Sequence, residues 1–352
     1  MKCENSINYN RQKYTLIINP CSGNKDCNLI LHKIQNFLGD IDVKITEKKG
    51  DASAFAKNSK ADVVIVAGGD GTINEVINGL MEKKLAKTLK SDFSTSVFTG
   101  GQVEKSGLKK TDPSPQGENA TSLLTGGRFS FYKPMNTKEI KPNNIPRLAI
   151  IPIGTSNMVA RAFNIPKNID KAILLIQQNR RKDLDIGRAN NRYFAIACGV
   201  GIDAEMYKNV EPKIKKMFGE VAYPLSLLKA IFNYKPKLLQ INVNGNKYFG
   251  YYVLVCNIAK FQNILQILPD SKYDDGFFDV LILQKKELPD LLRYLFGIAT
   301  TQVYKFKDVV CVKATSLEIT SEEPVIAHAD AEIIGKTPIK LKMYEKAIEV
   351  IC

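Results

Sequence analysis

The chain has 352 residues, 44% apolar and 24% charged, the make-up of an ordinary globular protein long enough for about two domains. It carries 50 basic against 36 acidic residues, a net charge of +14, which favours an anionic partner: nucleotide, nucleic acid or acidic lipid headgroup. No basic helix, zinc-finger spacing or aromatic RNA-binding motif accompanies the surplus, so nucleic acid is set aside. Seven scattered cysteines without a C-x-x-C pair imply neither a zinc site nor a disulfide framework. Their reducing surroundings, the absence of a signal-peptide core and the lack of any apolar run of membrane-spanning length predict a cytoplasmic protein, at most peripheral to a membrane.

Residues 1–13 read as a polar tail. Tyr14 to Ile18 is a short apolar strand, followed by the loop Asn19-Pro20-Cys21-Ser22-Gly23. A helix follows, with Leu29, Ile30, Ile34, Phe37 and Leu38 as its expected buried face. Val43 to Thr46 is a second strand, and a second helix begins at Asp51. Val63 to Ala67 is β-branched and apolar, as a buried parallel strand requires. Gly68-Gly69-Asp70-Gly71 then turns the backbone, and Ile73, Val76, Ile77 and Leu80 mark an amphipathic helix. Strand, glycine loop and helix N-terminus make a cradle for an anion. Successive strand–helix units with right-handed crossovers bring the loop at 19–23, Thr46 and the loop at 68–75 to one sheet edge.

Lys83 to Pro146 breaks the pattern and reads as a low-complexity insertion. Order resumes with the strand from Arg147, the turn Pro152-Ile153-Gly154-Thr155-Ser156-Asn157 and a helix with Val159 and Phe163 on its buried face. Residues 169–180 continue as helix, with Ile169, Ile173, Leu174 and Ile176 inward. From Arg181 the period changes towards two. Strands are expected at 183–189 and 192–199 around an Asn190-Asn191 turn, at 238–243 and 247–257 around Asn244-Gly245, and at 277–283 and 309–319. The fold is therefore a three-layer α/β nucleotide-binding domain over 14–180, then a mainly antiparallel β-sandwich domain over 181–352. The last segment is expected to return towards the first domain. Lys213 to Lys235 mixes lysines with apolar residues. It reads either as a membrane-facing surface or as helices packed on the β domain.

Several carboxylates stand out. Asp70, alone among glycines, either meets phosphates through a divalent ion or caps a helix. Glu75 either reaches a ribose or a metal-bound water, or complements the helix dipole. Asp330 and Glu332 alternate at strand spacing, which suits a general base and its orienter or, equally, a charged edge strand. Asp274-Asp275-Gly276 is either a hard-cation loop or an Asp-Gly turn.

In combination, Asn19-Pro20-x-Ser22-Gly23, Gly68-Gly69-Asp70-Gly71-Thr72-x-Asn74-Glu75, Pro152-x-Gly154-Thr155-x-Asn157, Asp275-Gly276 and the closing acidic pair resemble the diacylglycerol kinase catalytic-domain superfamily. The likeness is to its soluble bacterial members, with sphingosine and ceramide kinases as relatives. It implies an ATP site lined by Asn19, Pro20, Ser22, Gly23, Thr46, Gly68, Gly69, Asp70, Gly71, Thr72, Asn74, Glu75, Gly154 and Thr155. It implies a structural Mg²⁺ held by Asp275 and the carbonyls of Lys272 and Phe277. The closing motif, usually Asp-Gly-Glu, stands here as Asp330-Ala331-Glu332, with Glu332 as base, Asp330 beside it and Asp70 managing Mg²⁺ and phosphates. Transfer of the ATP γ-phosphoryl group to a lipid hydroxyl follows as the expected activity, diacylglycerol being the leading acceptor. The expected partners are the lipid, an anionic membrane surface and a second copy in a homodimer. Two alternatives remain in view. One is an NAD kinase, which shares the Gly-Gly-Asp-Gly loop; the other is a nucleotide- or lipid-binding regulator with impaired catalysis.

Overall fold

A computed structural model describes residues 12–23, 27–96, 145–209, 234–261 and 265–352. The first layer set follows the apolar runs. Strands β1 (Tyr14–Ile18), β2 (Asp42–Ile45), β3 (Val63–Gly68) and β4 (Arg147–Pro152) pair in parallel in the order β2-β1-β3-β4. Alternation along β3 divides two cores. Val64 and Val66 face α2 (Asp51–Asn58), α3 (Asp70–Ser96) and α4 (Met158–Ala162), while Val63, Ile65 and Ala67 face α1 (Cys27–Leu38) and α5 (Ile169–Gln178). Every residue of β3 is buried, as expected for a strand covered on both faces.

Three local expectations need correction. Leu29, Phe37 and Leu174 are 52%, 44% and 45% exposed, because α1 and α5 bury a narrower stripe centred on Ile30, Ile34, Ile173 and Ile176. Helix α3 does not stop at Lys83 but runs to Ser96, so the first part of the expected insertion is helical. The continuation is anchored by Lys84, only 3% exposed, whose Nζ donates to Ala347 O at 2.7 Å. The 97–144 part of that insertion and the 213–233 part of the lysine-rich stretch lie outside the described residues. The strand expected over 192–199 is broken at residues 195–196 into β6 (Arg192–Phe194) and β7 (Ala197–Val200).

Beyond β4 the same sheet continues without a seam. The last strand, β18 (Ile339–Ile351), pairs in parallel with β4 and antiparallel with β5 (Arg181–Ala189) and β15 (Ser316–Ser321), which leads on to β8 (Leu239–Val243) and β9 (Asn246–Gly250). A second, antiparallel sheet runs in the order β14 (Val309–Ala314), β13 (Phe278–Leu283), β10 (Tyr252–Cys256), β7, β16 (Ile326–Ala329) and β17 (Glu332–Lys336). The short pair β11 (Lys260–Phe261) and β12 (Leu265–Gln266) follows β10. The two sheets close a sandwich over Phe194, Cys198, Val255, Phe278, Val280, Ile319 and Leu341, with Phe194 stacked on Phe278 at 5.6 Å. Asn244 and Gly245 both take positive φ between β8 and β9, the geometry of a type I′ hairpin. The outer face of the second sheet is covered by α6 (Ile202–Asn209) and α7 (Leu288–Ala299).

Candidate active site

The strand order places a switch point between β1 and β3, and the loops leaving their carboxyl ends meet there. Asn19 N donates to Ala67 O at 3.0 Å, Thr46 N to Ile18 O at 3.0 Å and Ile153 N to Gly68 O at 3.3 Å, so all three loops stay on the sheet edge. Asn19 Nδ2 donates to Thr72 Oγ1 at 3.0 Å, and Ser22 Oγ lies 3.5 Å from the same oxygen. Two glycines are demanded by contact. Gly23 has φ +73 and a Cβ there would lie 2.0 Å from Ile153 O; a Cβ on Gly154 would lie 2.5 Å from Gly69 Cα. Gly68 to Thr72, Asn19 to Gly23, Thr46 and Gly154 with Thr155 thus converge on one crevice at the carboxyl edge of the parallel strands.

The carboxylates divide into distinct tasks. Asp70 Oδ1 accepts from Val159 N at 3.3 Å, on the first turn of α4. Burial raises its pKa, against the opposing pull of the amides of Met158, Val159 and Asn157 and of Arg161. It therefore ties the glycine loop to the Pro152–Asn157 loop. Glu75 Oε2 accepts from Gly50 N at 3.0 Å and holds the turn before α2.

The second sheet supplies the rest. β16 and β17 are joined by a two-residue turn in which Asp330 (φ 47) and Ala331 (φ 67) are both left-handed. That hairpin tip reaches the start of α3. Asp330 accepts from Ala195 N and Ile196 N at 2.8 Å each, from Ala197 N at 3.1 Å and from Asn74 Nδ2 at 2.8 Å. Residues 195–196 leave the strand ladder because their amides are spent on this carboxylate. Burial raises the pKa of Asp330, and the same four donors oppose the rise.

Glu332 sits one turn-step further, its Oε2 2.9 Å from Arg192 NH2 and 3.2 Å from Lys49 Nζ, with a quarter of its side chain exposed. Arg192 NH2 also donates to Asn74 Oδ1 at 2.5 Å. Asn74 thereby links both members of the acidic pair to the glycine-loop helix. Asn78 locks β6 beside it, accepting from Tyr193 N at 3.0 Å and donating to Tyr193 O at 3.0 Å. Lys49, Arg192 and Asn78 carry no motif that marks them in the sequence; only the fold brings them to Glu332 and Asn74.

An Ala at the second turn position bears a left-handed strain that Gly does not. Ala331→Gly is expected to raise stability by about 1 kcal/mol with the hairpin unchanged, read by chemical denaturation.

The Asp275 loop lies apart from this crevice, on the sandwich. Asp275 Oδ1 accepts from Phe277 N at 3.1 Å, and its Oδ2 is 2.6 Å from Lys313 Nζ, which also lies 3.4 Å from Asp279 Oδ1. A largely buried ammonium already pairs with this carboxylate. One oxygen of Asp275 is held by Lys313, and no chemistry is routed through an ion at this loop. Lys313→Met is expected to cost about 2 kcal/mol by stranding Asp275 and Asp279, read by chemical denaturation.

Behind that loop, Asp185 is fully buried and accepts from Gly276 N and Lys346 N, each at 2.6 Å. Burial pushes its pKa up to about 6, against those two hydrogen bonds and with Asp275 and Glu345 adding repulsion. A carboxyl raised in the folded state binds more protons there than in the unfolded chain, so its contribution to stability falls as pH rises from the ordinary carboxylate range through about 6. The stability difference between wild type and Asp185→Asn should therefore move against the wild type across that window, and level off above it, in denaturation curves taken at stepped pH.

With the geometry in place, comparison with known proteins is informative. The family described as diacylglycerol kinase catalytic domain matches residues 13–128 and 133–189, and the family described as YegS C-terminal NAD kinase beta sandwich-like domain matches residues 197–352. Proteins named diacylglycerol kinase from Staphylococcus aureus strains JH9 and Newman are each 27% identical over 352 aligned residues, covering 97% of this chain and 92% of theirs. A crystal structure of a diacylglycerol kinase from Bacillus anthracis strain Sterne shares the fold at TM-score 0.67 and 24% identity, over 97% of this chain and 96% of that one. Only the first twelve residues and two short gaps fall outside the two family matches, and the chain belongs to the diacylglycerol kinase catalytic-domain superfamily.

Proposed function

We propose that the protein transfers the γ-phosphoryl group of ATP to the hydroxyl of a lipid, with diacylglycerol as the first candidate acceptor and phosphatidate as product. The observation that carries this reading is the placement of Glu332 beside Arg192, joined through Asn74 to the helix that opens on the glycine loop. ATP enters as its Mg²⁺ complex, the ion being part of the substrate. The amides of Gly68 to Thr72 and the positive end of α3 face its phosphates, where charge develops during transfer. Glu332 accepts the acceptor's proton as the oxygen attacks in line, and Arg192 fixes the carboxylate's orientation. Asp330, saturated by four donors, has no lone pair directed at substrate and holds the hairpin tip instead.

An NAD acceptor is the competing reading, favoured by the β-sandwich described as NAD kinase-like over 197–352. Turnover of ATP against a panel of micellar diacylglycerol, sphingosine, ceramide and soluble NAD separates the two, with wild type compared to Asp70→Ala and Glu332→Ala. Phosphorylated lipid that both variants fail to make supports the proposal. Phosphorylation of NAD alone overturns it, and turnover of no acceptor at all assigns the chain a regulatory binding role.

A further inference from the structure

Helix α7 packs one face against the second sheet through Leu291, Tyr294 and Gly297, and that face is buried. Its opposite face carries Leu288, Leu292 and Phe296, spaced four residues apart so that they form one stripe. They are 38%, 45% and 69% exposed, and Phe296 is the most exposed large apolar side chain among the described residues. The charges around the stripe are unequal in their freedom. Arg293 takes both nearby acids, with its NH2 3.2 Å from Asp290 Oδ1 and its NH1 3.0 Å from Asp308 Oδ1. Lys285 and Lys286, just ahead of the helix, and Lys305 and Lys307, on the segment after it, are exposed and form no ion pair with a described residue, Lys286 lying over the Tyr251 ring and Lys305 over the Tyr304 ring. Among the described residues of this segment, Glu287 is the acid without an ion pair.

An apolar stripe whose adjoining segments carry four exposed lysines, with Asp290 and Asp308 neutralised by Arg293, is complementary to an anionic bilayer surface. Three side chains are too small a face for a stable protein interface, which buries roughly 800 Å² per partner, yet they suffice for shallow insertion among lipid headgroups. We propose that α7 is the membrane-docking element of this protein, with Phe296, Leu292 and Leu288 entering the headgroup layer and the four lysines meeting acidic lipid. The proposal rests on the lipid-kinase reading for its purpose, although its test needs no catalysis. α7 packs on the outer face of the sheet that also carries the β16–β17 hairpin, so docking through α7 would tether that sheet to the lipid.

The test is co-sedimentation of the full chain with phosphatidylcholine vesicles, with and without phosphatidylglycerol, in the absence of diacylglycerol. The wild type should bind only the acidic vesicles and be released by salt. Phe296→Asp and, separately, Lys285→Ala with Lys286→Ala should each weaken that binding about tenfold or more. All of these positions are exposed, so an unchanged melting temperature confirms that the variants fold. Their turnover of diacylglycerol in uncharged detergent micelles should match the wild type, which separates failure of docking from failure of the kinase reading. Wild-type indifference to acidic lipid, or variants that sediment like the wild type, overturns the proposal. A dimer that Phe296→Asp dissolves while vesicle binding persists assigns the face to a second copy and overturns it equally.

Discussion

Glu332→Gln should lower the rate of phosphoryl transfer by about 10²–10⁴-fold while leaving ATP binding and thermal stability close to those of the wild type. The substitution keeps the shape of the side chain and an oxygen for Arg192, which sits 2.9 Å away, but removes the basic lone pair. Glu332 is not a structural hub. Its partners are Arg192 and the exposed Lys49, and exposed ion pairs of the second kind are worth little. Loss of rate without loss of fold is therefore the signature of a base. The measurement is kcat and KM for ATP and lipid, with nucleotide affinity taken independently by calorimetry. Equal falls in kcat and kcat/KM would place the lost interaction in the transition state.

Asp330→Ala should behave in the opposite way, costing on the order of 3–5 kcal/mol of stability because three backbone amides and the Asn74 amide lose their acceptor together. Each orphaned buried donor carries a desolvation cost of about 1–3 kcal/mol, moderated by whatever water enters. Activity would fall as well, since the hairpin tip would no longer be fixed to α3. The two effects can be told apart. At a temperature where Asp330→Ala remains folded, Asp330→Asn, which keeps one accepting oxygen, should recover part of both stability and rate, read by urea denaturation and turnover on the same samples. A stable Asp330→Ala protein with no activity would instead make Asp330 the reacting carboxylate.

The contrast between these residues shows what the sequence could and could not disclose. Asp330 and Glu332 are visible as an alternating pair, but strand spacing would put both on one strand, whereas Asp330 and Ala331 form the left-handed turn and only Glu332 lies on β17. Nothing in the pair tells which carboxylate is satisfied by backbone amides, because the donors come from residues 195–197, on a strand whose interruption has no local signal. Arg192 and Lys49 belong to different elements from Glu332, and only the packing of β6 and of the loop before α2 brings them together. The glycine loop is different, since its geometry is local: a β-branched strand, glycines and an amphipathic helix dictate a tight turn at a helix N-terminus without help from elsewhere.

The same distinction explains the misjudged surfaces. The stripes on α1 and α5 are real, but period alone marks a direction and not its buried width, so Leu29, Phe37 and Leu174 were drawn inward. The extent of α3 depended on Lys84 finding the carbonyl of Ala347, more than two hundred residues away. The pairing of Asp275 with Lys313 is likewise invisible in the sequence, because Lys313 lies on a neighbouring strand and no spacing rule connects the two.

The most direct measurement is the stoichiometry of ADP released to phosphorylated lipid formed from micellar diacylglycerol, with wild type and Glu332→Gln side by side and NAD as a parallel acceptor. The account expects one phosphatidate per ADP from the wild type, almost none from Glu332→Gln at full nucleotide occupancy, and no product from NAD. Undiminished phosphatidate formation by Glu332→Gln, or a phosphorylated product from NAD alone, would contradict it.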